Sequence, residues 1–158
     1  MSIQIIEGKT NPSKAKIGIV VSRWNSMITE KMLKGALEAL KNNGIAEEDI
    51  IVSRCPGSYE IPLTAQYLIE NNEVEGVIAI GVVIRGGTPH FEYVCDAVNR
   101  GVLEVNLKYN IPIAFGVLTT DDVKQALERA GEKGNKGAEA ALAMLEMIDL
   151  RRKLEAKP

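Results

Sequence analysis

The sequence predicts an α/β fold of three layers, with helices covering both faces of a parallel sheet. Three observations carry that expectation. Four short apolar runs recur along the 158 residues, each bounded by turn-forming residues. The stretches between them show helical spacing and run to about ten residues or more. The third run, "GVIAIGVVI" at 76–84, is apolar throughout, as suits a strand with both faces covered. Strands alternating with helices imply parallel pairing through right-handed crossovers. Four central strands make a small sheet, so a flavodoxin-like three-layer α/β/α sandwich fits better than a barrel. One domain is expected over 1–158.

Each element follows from its residues. The opening "IQIIE" alternates like a strand and is cut off by the loop "GKTNPSK". Residues 1–15 therefore read as a strand and loop, either joining a neighbouring subunit's sheet or forming an edge of its own. "KIGIVV" (16–21) is the first core strand. The helix predicted over 26–43 carries Ile28, Met32, Leu33, Ala36, Leu37 and Leu40 on one face, with Glu30, Lys34 and Glu38 four apart on the other. Gly44 stops it. "DIIVSR" (49–54) is the second strand, and "CPGSYE" leads into a helix ending near Asn71.

After the strand at 76–84, a helix is predicted from Pro89 to Tyr109, with Thr88 as its cap. "IPIAFGVLT" (111–119) is the fourth strand. A helix over 121–131, capped by Thr120 and stopped by Gly131, precedes a last one over 135–154. That last helix has two apolar stripes: Ala138, Ala141, Leu142, Leu145 and Ile148, then Ala140, Met144 and Met147. This is wider than one buried face requires, and reads either as self-association or as deep burial.

Composition narrows the functional classes. With 46% apolar and 25% charged residues and a net charge of −2, the chain lacks the basic footprint of a nucleic-acid or membrane-surface binder. The N-terminus shows no basic segment followed by an apolar core, and no apolar run is long enough to span a bilayer; a cytoplasmic location is expected. Cys55 and Cys95 are far apart and the chain has one histidine, so no metal site is expected. The cysteines read as buried apolar side chains, with a disulfide as the other reading.

In open α/β sheets, ligands bind outside the carboxyl ends of the strands. There the sequence places "SRWN", "PGSYE" and "RGGTPH". The only tryptophan, Trp24, together with Tyr59 and Phe91, lies beside these ends, and Phe115 lies in the fourth strand. Aromatic groups gathered there suit a flat heteroaromatic ligand. Gly86 and Gly87 let the backbone come close to a ligand, and a helix start after Thr88 suits a phosphate. Neither "GxGxxG" nor a "GKS/T" loop is present, which argues against dinucleotide and ATP binding. His90 is placed for proton transfer, against the plainer reading of a structural histidine. Arg129, Lys133, Lys136 and Glu139 surround a glycine-rich break and form either an anion clamp or a solvated connection.

Taken in order, "SRWN", "PGSYEIP", "AIGVVIRGGTPHFEYV", "PIAFGVLT" and "ERAG…GNKGAEAA" resemble the 6,7-dimethyl-8-ribityllumazine synthase family, from about Ile17 to Leu150. The resemblance implies a transferase of riboflavin biosynthesis. Such an enzyme condenses 5-amino-6-(D-ribitylamino)uracil with 3,4-dihydroxy-2-butanone 4-phosphate, without metal or cofactor. It also implies homopentamers, in some members assembled as a 60-subunit shell, active sites between subunits, and riboflavin synthase as a candidate partner.

By matching motif, Trp24 stacks on the pyrimidine, at a position that is Phe in many relatives, with Asn25 beside it. Ser58, Tyr59 and Glu60 hold the ribityl chain and ring. Val83 and Ile84 touch the heterocycle, and Gly87 and Thr88 meet the phosphate. His90 transfers protons. From the neighbouring subunit, Phe115 packs over the ring and Arg129 binds phosphate, with Lys136 and Glu139 close by. The segment between "ERAG" and "GNKG" is one residue shorter than in that pattern, which leaves pentamer or shell open. A non-catalytic flavin or pterin binder and a shell protein with vestigial catalysis are the rival readings. Turnover of both substrates separates them.

Overall fold

The computed structural model describes residues 2–156. Its elements are β1 (Ile17–Ser22), α1 (Ser26–Asn42), β2 (Ile50–Cys55), α2 (Ile61–Asn71), β3 (Gly76–Ile84), α3 (His90–Tyr109), β4 (Ile113–Thr120), α4 (Val123–Glu128) and α5 (Lys136–Glu155). The four strands form one sheet in the order β2-β1-β3-β4. Every neighbouring pair is parallel, with Ile19 opposite Val52 and Ile78, and Ile80 opposite Gly116. The three-layer flavodoxin-like sandwich is therefore present.

The two-residue period of the strands divides the core in two. Ile17, Ile19 and Val21 of β1, with Ile78, Ile80 and Val82 of β3, point into a layer filled by Met32, Leu33, Ala36 and Leu40 of α1 and Ala141, Met144, Leu145 and Ile148 of α5. Val20, Val77, Ala79 and Val83 point the other way, onto Ile61, Ala65 and Leu68 of α2 and Val98, Val102 and Val105 of α3. An uninterrupted apolar strand is what this double cover requires.

The structure corrects several boundaries. α3 begins at His90 behind Pro89, and the Thr88 side chain makes no capping bond. The helix expected over 121–131 is only Val123–Glu128, and its cap is Asp122, whose carboxylate accepts from the Gln125 amide at 2.8 Å. Thr120 belongs to β4 and is spent locally, its hydroxyl donating to the Asp122 carbonyl. The two stripes of α5 merge into one broad buried face of Ala140, Ala141, Met144, Leu145 and Ile148, leaving Met147 exposed.

The opening residues form no strand of their own. Ile3 and Ile5 project into solvent at 89% and 82% exposure. The following residues are tied to α5: the Lys9 amide donates to Asp149 at 2.7 Å and Lys153 donates to the Glu7 carbonyl at 2.9 Å. The Arg152 fork binds Glu75 and the Ser13 and Lys14 carbonyls. An edge strand within the chain's own sheet is thus ruled out for residues 2–9.

α1 and α5 approach so closely that a Cβ on Gly137 would fall 2.2 Å from the Met32 carbonyl oxygen. Asn135 ties the same junction. Its side-chain amide donates to the Lys31 and Ala130 carbonyls, and its oxygen accepts from the Ala138 amide. No helix among the described residues is long and apolar enough to cross a membrane.

Candidate active site at the carboxyl edge of the sheet

The carboxyl ends of β1, β2 and β3 open into a cleft of about 510 Å³, lined by residues of three consecutive loop regions. Trp24 comes from the β1–α1 turn. Two backbone bonds, Arg23 to the Cys55 carbonyl at 2.8 Å and Trp24 to the Pro56 carbonyl at 3.0 Å, carry the β1–β2 pairing past the end of the sheet. Asn25 then adopts the left-handed conformation (φ 60, ψ 47), which asparagine tolerates better than most residues. Its carbonyl accepts from the Ile28 and Thr29 amides and starts α1. This abrupt turn leaves the indole 71% exposed at the mouth of the cleft. Asn25 itself does not line the cleft.

The second wall is the turn Ser58–Glu60, which follows β2. Ser58 is buried, and its hydroxyl donates to the Val82 carbonyl at 3.3 Å, fastening the turn to β3. Gly81 makes that approach feasible, since a Cβ there would lie 2.7 Å from the Ser58 hydroxyl and 2.8 Å from Ile61. The Ser22 hydroxyl beside it is fully buried and has no hydrogen-bond partner among the described residues. Cys55, the last residue of β2, is buried, and burial pushes its thiol pKa up. It is a free thiol, as is the half-buried Cys95 on α3, which is less enclosed than its sequence context suggested.

The third wall comes from β3 and the start of α3. Val83 and Ile84 form the floor, with Thr88 and His90 at the rim. The loop 86–90 is open: nothing lies within 4 Å of a Cβ built on Gly86 or Gly87. The amides of Gly86, Gly87 and Thr88 donate to no acceptor among the described residues. Free amides leading into a helix start form an anion-binding arrangement. The cleft thus joins an aromatic face, a carboxylate at Glu60, a run of free amides and one imidazole.

The remaining expected residues lie elsewhere. Phe115 is 45% exposed on the edge strand β4, opposite Ala79, whereas the cleft sits over Val82–Ile84. Along a strand that offset is about 10 Å, too far to share the cleft. Arg129 follows α4, exposed, its guanidinium donating to the Gln125 carbonyl at 2.9 Å. Lys136 and Glu139 pair with one another at 3.3 Å in the first turn of α5. These four do not meet the cleft of their own chain.

Phe91, expected at this edge as an aromatic group though given no role by the matching motif, lines the cleft, and so does Val94, which sequence reasoning missed. The signal for them is the helical repeat from His90, which puts 91 and 94 on its flank. Among the described residues no group of three or more His, Cys, Asp or Glu side chains could hold a metal ion. Residues 14–152, nearly the whole chain, match the family model described as 6,7-dimethyl-8-ribityllumazine synthase.

Proposed function

Since the chain belongs to the 6,7-dimethyl-8-ribityllumazine synthase family, we propose that it condenses 5-amino-6-(D-ribitylamino)uracil with 3,4-dihydroxy-2-butanone 4-phosphate. The products are 6,7-dimethyl-8-ribityllumazine, phosphate and water, the penultimate step of riboflavin biosynthesis. The observation that carries the reading is the convergence of Trp24, the Ser58–Glu60 turn, Gly86 and Thr88 with their free amides, and His90 on one cleft, with Gly87 between those two in the loop. A heterocycle with a polyol and a phosphorylated ketone need those four features side by side.

In this reading the indole stacks on the pyrimidine, Val83 and Ile84 support its other side, and Asn25 holds the turn that presents Trp24. Tyr59 and the backbone of Ser58 flank the ribityl chain, and Glu60 accepts from its hydroxyls. The phosphate rests on the Gly87 and Thr88 amides. The 5-amino group attacks the ketone carbonyl, and the resulting carbinolamine loses water to give an imine. Loss of a carbon-bound proton and departure of phosphate follow. The enol left behind takes a proton on its terminal carbon and becomes a methyl ketone. The ribityl nitrogen attacks that new carbonyl, and a second loss of water closes the ring.

Every stage relocates protons, and His90 relays them between adjacent atoms. Holding the two partners together supplies most of the acceleration, and no electron carrier enters the balance. A second subunit completes the site, bringing Phe115 over the ring and Arg129 to the phosphate, with Lys136 and Glu139 nearby. The exposure of all four and their absence from their own chain's cleft support this arrangement.

Mixing the protein with both substrates tests the proposal. Catalysed appearance of the fluorescent lumazine with matching phosphate release is expected. Tight binding of the pyrimidine without turnover would replace the synthase with a non-catalytic heterocycle binder. Native mass measurement checks the assembly.

A further inference from the structure

We infer that Arg85 is a positioning residue that sets the shape of the Gly86–His90 loop, and with it the affinity for the phosphate-bearing substrate; this rests on the synthase reading above. The Arg85 amide donates to the Thr120 carbonyl at 2.8 Å, carrying the β3–β4 pairing one step beyond Ile84. Its side chain is not part of the cleft lining. Nε donates to the Asp121 carboxylate at 3.0 Å, and the guanidinium carbon lies 4.5 Å from the centre of the Phe91 ring. Nη1 is 3.8 Å from the Glu92 carboxylate. One side chain therefore joins the residue before the loop to the two residues after His90 and to the β4–α4 connection.

Among the described residues nothing lies within 4 Å of a Cβ built on Gly86 or Gly87. Two adjacent glycines give the loop wide backbone freedom, and its amides make no bond among the described residues. An anion can use those amides only while they converge. If the convergent shape is only part of the population, apparent affinity falls by that fraction. The Arg85 fork raises the fraction by fixing both ends of the loop. The planar guanidinium can lie on Phe91 while bonding Asp121 edge-on, which an ammonium cannot do. Phe91 lines the cleft beside His90, so the same contact holds the start of α3 in place.

The test compares Arg85→Met, Arg85→Lys and Asp121→Asn with the parent protein. Steady-state kinetics in each substrate are combined with inhibition by inorganic phosphate and with Trp24 fluorescence on adding a ribityl-pyrimidine. Arg85→Met should raise the Michaelis constant for the phosphorylated ketone and the phosphate inhibition constant about five- to tenfold. Arg85→Lys and Asp121→Asn should fall between it and the parent. Pyrimidine binding should not move.

Unchanged phosphate inhibition, or an equal loss for both substrates, overturns the inference. If Arg85→Met does not fold, Asp121→Asn decides on the same criteria. If the parent binds both compounds but forms no product, the synthase reading fails by itself. Phosphate affinity measured by calorimetry on the same variants then still decides whether Arg85 sets the loop.

Discussion

Replacing Gly137 by alanine tests the close approach of α1 and α5. The added Cβ would lie 2.2 Å from the Met32 carbonyl oxygen and 2.8 Å from its carbon. Ordinary contact begins near 3.4 Å, so α1 and α5 must separate by about 1 Å. Both groups in collision are backbone, and no rotamer change relieves them. Overpacking of this kind costs about 3 kcal/mol, the upper end of the usual range. Alanine returns about 1 kcal/mol through its better helix propensity. The net loss of about 2 kcal/mol corresponds to a fall in Tm of about 4–8 °C for a chain of this length. Differential scanning calorimetry reads it directly. Trp24 quenching by a ribityl-pyrimidine should be unaffected, since α1 and α5 contribute nothing to the cleft lining. A Gly137→Ala protein as stable as the parent would refute the packing argument.

His90→Gln should lower kcat about a hundredfold with both Michaelis constants nearly unchanged, because water can reach the exposed rim and relay protons in place of the imidazole. Stopped-flow turnover checks this, and total loss of activity in a folded, assembled variant would transfer the main role from positioning to the histidine. Trp24→Leu should raise the Michaelis constant for the pyrimidine about tenfold and leave Tm in place, the indole being exposed. The Arg54 guanidinium, bonded to Glu30 at 2.9 and 3.0 Å, holds the Glu30 carboxyl below its ordinary pKa. Stability from this pair is present above the unfolded pKa of Glu30 and lost as pH falls through the lower folded value. Glu30→Gln should therefore cost about 1 kcal/mol or less at pH 7, with the pair half exposed, and the gap in Tm from the parent should narrow as pH falls below the ordinary carboxylate range.

The strand at 76–84 was legible to the residue, because a run buried on both faces leaves no polar position to blur its ends. Trp24, Tyr59, Glu60, Thr88 and His90 were legible as a group from topology alone, since each follows a strand end. Thr88 misled as a cap because a Ser or Thr before proline fits the pattern of a helix start, whereas Pro89 took the place next to His90. Gly131 overstated α4, which Arg129 already ends. The alternation of Ile3, Ile5 and the glutamine between them spells a strand, but alternation cannot say which sheet it joins. Arg85 escaped notice for a related reason. Its partners Asp121 and Phe91 lie on other elements, and only the fold brings the three together.

The sheet is also a partition. Interior residues facing α1 and α5 reach the cleft only at the end of β3, through Val82 and Ile84, whereas those facing α2 and α3 pack with Val83, Phe91 and Val94, which line it. Neutral drift has unequal latitude on the two sides. Core exchanges beneath α1 and α5, away from Val82 and Ile84, register as lost stability, while equivalent exchanges beneath α2 and α3 also disturb ligand recognition. A library meant to harden the protein belongs on the first side, and one meant to change its ligand belongs on the second.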